Sequence, residues 1–514
     1  MHSALLIDEI LRLVFSFASE TGPSTLAVAA RCCKAWRDPA LDFLWNRLSC
    51  FKPFVLLFSG GSVVNGEFVL PSYLPEQDLS RFNFYAGRIK HAGNRYELRV
   101  CFGAEAMALF HFHHKSIVLP NLSSVHISVS RCPPILIPFY FSSNLSKIDV
   151  DLGFKASSSS TDDMLCTYFT QVAESCRGLR HLSLRGHASE RLNDIISRLS
   201  SLHSISLKLG ATLLPKTLKA IMDFPRLSEL EVHAGHIESY DVNDKQEDCT
   251  VFTSLRKLHI RAQSTLIEDI LRHIPLNTLQ NIHLELDDPS PCTTFWNACF
   301  ASIANKSAET LQHLSLEHHF EIVEPSLSIP LDAAQPSNAS TTTIVTTASP
   351  AASHMTFQVV ETLRVLKHLH HFSCDITLPP ILNDKDIERM VVWWPQLQHF
   401  ELGSSLPTEE LQVSQRPQMT PGCLHFFASQ LSQLRKLILP LTIDDDTNLS
   451  TNTLQLEKAN ELQSLTIAQL STTTPNDVAR YLHTLFPSLK SLEGPCDDSD
   501  IWTGTIDALR NFAC

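Results

Sequence analysis

The chain has 514 residues, 44% of them hydrophobic and 18% charged, with a mean hydropathy of -0.00, the composition of a globular protein. No apolar run approaches the roughly 20 residues that a bilayer span needs, and a net charge of -13 repels phosphate backbones and anionic lipid, so a transmembrane chain is ruled out and neither nucleic acid nor a membrane is expected as a partner. The 14 cysteines are scattered, with no Cys-x-x-Cys pair and only Cys32 and Cys33 adjacent, so neither a disulfide framework nor a zinc site is spelled out.

Met1 to Glu9 lacks the basic flank of a signal peptide and is interrupted by Asp8 and Glu9, which points to a cytoplasmic or nuclear protein. Asp8 to Ala18 then places Ile10, Leu11, Leu13, Val14 and Phe17 on a broad helical face, with the two carboxylates at its start where the helix dipole favours them. Thr21-Gly22-Pro23 punctuates the chain, and Leu26 to Cys33 reads as a second apolar helix. After Trp36, Pro39 opens a third helix running through Leu41, Leu44, Trp45 and Leu48. Three helices this short bury too little area to offset chain entropy, so they need a partner surface. Further on, Phe51 to Ser59 and Val63 to Leu70 read as strands and Asp78 to Ala86 as a connecting helix.

From residue 122 onward the pattern L-x-x-L-x-L recurs, with Ile, Val, Phe or Cys substituting. Examples are Leu122-Val125-Ile127, Leu179-Leu182-Leu184, Leu227-Leu230-Val232, Leu279-Ile282-Leu284, Leu369-Phe372-Cys374 and Leu462-Leu465-Ile467. First leucines are spaced 23, 34, 23, 25, 28, 24 and 32 residues apart in a first block and 28, 37, 28 and 27 in a second. Each unit predicts a short strand, and each interval a return segment to a neighbouring strand, helical where it is long, as in Asp162 to Cys176. Several returns end in an apolar residue and proline, at Pro120, Pro225, Pro395 and Pro487, where proline stops the helix. The repeat resembles degenerate, variable-length leucine-rich repeats; the asparagine expected three residues after L-x-L is absent in nearly every unit.

Pro325 to Met355, rich in Ser, Thr, Ala and Pro, reads as a disordered insertion between the blocks, and Ser157 to Asp163 and Ser404 to Gly422 as surface loops. The expected organisation is a three-helix module at 1–50, connecting elements at 51–118, repeats at 119–324, the insertion at 325–356 and repeats at 357–514.

The segments Leu6 to Phe17, Leu26 to Arg37, Pro39-Ala40-Leu41 and Leu44-Trp45 together resemble the F-box family, with Asp8 in place of the proline that usually precedes the glutamate. The implied fold class is α/β, a short all-helical F-box followed by a leucine-rich-repeat solenoid with a parallel sheet and helical returns. The resemblance implies a non-catalytic substrate receptor of an SCF-type ubiquitin ligase, docked on a Skp-family adaptor and through it on a cullin scaffold, with a protein substrate held by the repeats. Carried over residue by residue, the adaptor-facing set is Leu6, Ile10, Leu13, Val14, Leu26, Ala30, Cys33, Trp36 and Trp45.

The period of two along each strand puts the third, fifth and seventh positions of a unit on the face opposite the buried leucines. His181, Arg185, Lys208, Glu229, Lys257, His259 and Arg261 are therefore the candidate substrate contacts, and Ser183, Glu231, Glu285, Glu317 and Glu401 lie on the same face. Their alternating charge suits a protein with patterned charge. The 24 histidines include His111-x-His113-His114, His318-His319 and His368-x-His370-His371. Because His126, His181, His259, His283, His313, His371 and His399 fall on these outward positions, a polar ladder explains them better than coordination, and no metal or cofactor is expected. No Gly-x-Ser-x-Gly, His-Glu-x-x-His or Gly-x-Gly-x-x-Gly occurs, so no catalytic residue is assigned. Two alternatives remain open: a scaffold whose first helices only cap the solenoid, and an enzyme using a histidine cluster and a metal.

Overall fold

The computed structural model describes residues 7–49, 52–64, 67–69, 75–93, 101–102, 118–132, 134–242, 250–290, 293–320, 355–378, 380–403, 418–445, 460–494 and 500–513. Leu6, the histidines at 111, 113 and 114, and the segments 325–354 and 404–417 assigned to insertion and loop lie outside them. The chain forms two compact units, Met1–His233 and Ala234–Cys514.

The first unit opens with α1 (Asp8–Thr21), α2 (Pro23–Cys32) and α3 (Lys34–Leu44). Gly22 joins α1 to α2 at φ 130°, a backbone region closed to most side chains, and Pro23 takes the first position of α2. The third helix does not open at Pro39. It starts at Lys34, because Cys33 is extended and its carbonyl accepts the N–H groups of Trp36 and Arg37, leaving Pro39 buried inside the helix with one backbone bond forgone. Nor does the helix reach Leu48, since Arg47–Leu48 pairs in parallel with His91–Gly93 as a first strand.

Two expected strands of the connector are corrected. Lys52–Val55 is a helical turn, and Phe54 within it and Phe58 in the turn that follows pack on Phe82 of the helix Glu76–Ala86 with ring centroids 4.6 and 5.7 Å away. The run from Val63 is a hairpin of Ser62–Val64 against Glu67–Val69, with Cys101–Phe102 alongside. The missed signal was Asn-Gly at 65–66, a dipeptide favoured between hairpin strands.

The strands Arg47–Leu48, His91–Gly93, Ser124–Ser128, Lys147–Gly153, His181–Gly186, Ser204–Lys208 and Glu229–His233 then follow one another side by side, all parallel. Their apolar partners are in register, for example Ile148 with Leu182 and Leu182 with Ile205, so the leucines of each repeat stack on those of the next. Helical returns occupy Ser159–Ser175, Glu190–Ile196 and Pro215–Met222. The first of these absorbs the expected loop at Ser157 to Asp163, because Ser158 caps it, its Oγ accepting the Thr161 N–H at 3.3 Å.

The second unit repeats the plan in Lys257–Ala262, Asn281–Leu286, His313–His318, His371–Ile376, His399–Gly403, Lys436–Asp444, Ser464–Ser471 and Ser491–Glu493, again parallel neighbours in chain order. The two sequence blocks are continuous here: His313 pairs with His371 and Leu316 with Cys374, so the 325–356 segment interrupts the sequence without separating neighbouring strands. The helix Asp500–Ala513, not expected from the repeat pattern, packs on Pro475–Leu485 at the last strands and buries Trp502.

The first leucine of a unit sits in a recurrent turn. The N–H groups of Leu122, Leu227, Leu397 and Leu489 donate to the carbonyls of Leu119, Phe224, Trp394 and Phe486 at 3.2, 3.4, 3.1 and 3.1 Å. In each, proline follows the accepting residue, the second position of a β-turn that its fixed φ favours. Proline thus both ends the return helix and aims the chain into the next strand.

Candidate partner-docking surfaces

Helix α1 is apolar on two sides. Leu11 and Phe15 enter a core with Leu26, Ala29 and Ala40, against which Ala18, Ala30, Trp36, Phe43 and Leu44 pack. On the other side Ile10, Leu13, Val14 and Phe17 are 37, 60, 46 and 63% exposed, spaced i, i+3, i+4 and i+7 so that they form one stripe. Arg12, bonded to Asp8 at 2.6 Å and Asp42 at 3.0 Å, ties α1 to α3, and both carboxylates, Asp8 first, hold its guanidinium above its usual pKa.

Of the adaptor-facing set, Ile10, Leu13 and Val14 stand on this stripe. Leu26 is buried in the core with Leu11, Phe15, Ala29 and Ala40. Ala30 and Trp36 pack against the core, Trp36 edge-to-face on Phe15 with centroids 5.9 Å apart. Cys33 is half-buried at the α2–α3 junction. Trp45 faces the connector, stacked on Tyr85 at 4.4 Å and 5.6 Å from Phe54, and Arg88 binds Asp38 at 2.7 Å and also Asp42. These contacts fasten the three helices to the elements that follow. Phe17, Ile7 and Val28 are exposed and were left out of the set, although Phe17 had been placed on the helical face that carries the stripe.

On the strands, the outward positions lie where the period of two places them. In the first unit His181 and Arg185 are exposed, Arg185 over the ring of Phe154 at 5.2 Å. Lys208 pairs with Glu231 at 2.6 Å, Ser206 donates to the same carboxylate, and Glu229 is half-buried nearby in the same strand as Glu231. His126 bonds Asp149 at 2.8 Å, which holds that carboxyl below its usual range. Lys208 and Glu231 are therefore each other's counter-ions before any partner arrives.

In the second unit, Lys257 and Arg261 are exposed, and Arg261 donates to Asp287 at 2.8 Å. Imidazoles stack across adjacent strands, His259 on His283 at 4.0 Å between centroids, and His371 between His313 at 5.6 Å and His399 at 4.1 Å. His259 Nε2 lies 2.5 Å from Glu285 Oε1, His283 Nε2 is 2.9 Å from Glu317, and Glu401 receives Ser373 at 2.9 Å and His399 at 3.1 Å. Burial and the neighbouring His259 push His283 down, and burial with the charges of His399 and His313 pushes His371 down to about 4. His318, from the His318-His319 pair, is buried at an apolar strand position and its ring meets the Asp288 carbonyl at 3.0 Å.

The described cysteines carry free thiols, and burial pushes Cys176 up to about 11 and Cys132 to about 12, the opposite of what a nucleophile needs. No described helix is long and apolar enough to cross a membrane.

A family model described as F-box-like matches residues 8–50, the segment built by α1, α2, α3 and the first strand. No curated protein matches the chain. Among solved structures, a leucine-rich-repeat protein of Leptospira interrogans is 14% identical, covering 76% of this chain and 92% of its own at a TM-score of 0.32. An internalin of Listeria monocytogenes is 10% identical, covering 79% and 81% at 0.28. The leucine-rich-repeat assignment rests on the parallel ladders and their register.

Proposed function

From an F-box-like segment at residues 8–50 that runs into leucine-rich repeats, we propose that the chain is a non-catalytic receptor subunit of an SCF-type ubiquitin ligase. Its α1 stripe docks on a Skp-family adaptor, which links it to a cullin, and the outward strand positions hold a protein substrate. The observation that carries this reading is the stripe itself. Ile10, Leu13, Val14 and Phe17 remain exposed after Leu11 and Phe15 have satisfied the core, and a soluble chain rarely leaves such a row uncovered without a partner for it. Stacking of Trp45 on Tyr85 and the pairing of Arg88, from the connector, with Asp38 of α3 support the capping role as well, so one module closes the first end of the array and presents a face outward.

The test is co-purification of the full chain with a Skp-family adaptor, comparing wild type with Leu13→Asp and Phe17→Asp. Either change puts a charge into an apolar interface, and the expected loss is at least about thirtyfold in affinity, the equivalent of about 2 kcal/mol. Circular dichroism and thermal melting should be unchanged, because neither residue lies in the core. Failure of wild type to capture the adaptor would leave the helices as a cap and remove the ubiquitin reading, and capture indifferent to both substitutions would remove the stripe as the docking face.

A further inference from the structure

The outward strand face of the second unit, apart from the adaptor-docking stripe, holds a side-chain group with a chemistry of its own. His259 and His283 face each other on neighbouring strands, paired in register, and Glu285 follows two residues after His283 on the same side. One ligand atom from each of the three, a ring nitrogen of each imidazole and a carboxylate oxygen, lies within 4.8 Å of the others. The rings stack face to face at an interplanar angle of 13°, so their lone pairs run side by side and one ring has to turn about χ2 for both nitrogens to meet one ion. His283 Nε2 is shut off from solvent and makes no aligned hydrogen bond, Glu317 Oε1 at 2.9 Å lying off its axis.

We propose that His259, His283 and Glu285 form a zinc site on the outward strand face, with Glu317 as the group nearest the fourth position. Two imidazole nitrogens and a carboxylate are a borderline-soft set that suits zinc and does not suit calcium or magnesium, which take oxygen. Tetrahedral bonds of about 2.1 Å separate ligand atoms by about 3.4 Å. His283 Nε2 and Glu285 Oε1, 3.7 Å apart, already stand close to that spacing. His259 Nε2 and the same oxygen, at 2.5 Å, open by about an ångström as the metal replaces the shared proton, a motion within the torsions of a glutamate. Strand register fixes the backbone of all three ligands, and the Glu317 strand is the next in the ladder, pairing Glu285 with Glu317. Zinc would therefore clasp three consecutive strands on the face opposite their leucines, and would set a +2 charge among Glu285, Glu317 and Asp287, facing Arg261.

This site is independent of the adaptor reading, and its test does not involve the adaptor. Untagged full-length chain is dialysed against zinc chloride alone, the bound metal is counted by mass spectrometry, and affinity is measured by calorimetry for wild type, His259→Ala, His283→Ala and Glu285→Gln. His371→Ala, in the other imidazole stack, is the control for nonspecific binding by histidines. One equivalent should be lost, or bound at least about tenfold more weakly, in each ligand variant and kept in His371→Ala. Cobalt in place of zinc should give the visible spectrum of a four-coordinate ion, lost in the same three variants. The proposal falls if wild type binds no zinc at micromolar concentration, if the three variants bind as wild type does, or if His371→Ala loses as much as they do. Circular dichroism of each variant separates loss of ligand from loss of fold.

Discussion

Two glycines at the ends of adjacent strands show how narrow the tolerance of the ladder is. Gly153 and Gly186 pair across the strands, and both have positive φ, 80° and 111°. A methyl group on Gly186 would collide with the backbone of Gly153, whereas one on Gly153 would meet nothing within 4 Å. Gly186→Ala should therefore cost about 3 kcal/mol, strain plus a backbone clash, and Gly153→Ala about 1 kcal/mol of strain alone. Urea denaturation of the two variants reads the difference, and equal costs would mean the strand ends relax freely. Neither glycine carried a signal in the sequence, because a positive φ depends on where the strand must stop. By contrast, the leucines of each unit were legible down to the residue: Leu182, Leu184, Leu314 and Leu316 are all buried where the repeat put them.

At the scale of an element, α1 explains why the docking residues were only partly readable. Its composition is apolar on both faces, so helical periodicity marks a broad band without dividing the side that meets α2 and α3 from the side that meets a partner. The division exists only once Leu26, Ala29 and Ala40 have covered Leu11 and Phe15. A matched pair of truncations separates the two roles. Leu11→Ala removes packed core and should cost about 2 to 5 kcal/mol of stability. Leu13→Ala, 60% exposed, should change stability by less than about 0.5 kcal/mol and weaken adaptor capture instead. Thermal melts and pull-downs on the same two proteins decide it, and a large stability loss from Leu13→Ala would place that residue in an internal contact. The group of His259, His283 and Glu285 was half legible: strand period and equal places in their units put the two histidines on one face and in register, but the approach of the Glu285 carboxylate to both rings depends on side-chain geometry that a repeat pattern does not carry.

For the molecule as a whole, the imidazoles on the strand face couple stability to acidity. His371 lies between His313 and His399, and its burial, then the charges of those two rings and of Lys436, outweigh the attraction of Glu401, so its pKa falls to about 4 from an unfolded value near 6.5. Between those two values the unfolded chain takes up a proton that the folded chain refuses, so stability is full above about pH 6.5 and declines as pH falls towards 4. His313, lowered chiefly by burial, acts in the same direction. Because His371 is only about half-buried, solvent screening reduces its share to about 1 kcal/mol. Glu401 adds a second, more acid step: the bond from His399 lowers its pKa, so the stability it contributes is present above the unfolded carboxylate value, about 4.3, and is lost below it. Urea midpoints measured from pH 7 to pH 4.5 isolate the imidazole step, which should be shallower in His371→Asn than in wild type. Parallel slopes would assign the acid sensitivity to other groups, and a variant that gains stability at pH 5 relative to wild type would show the stacked ring to be the source of the loss.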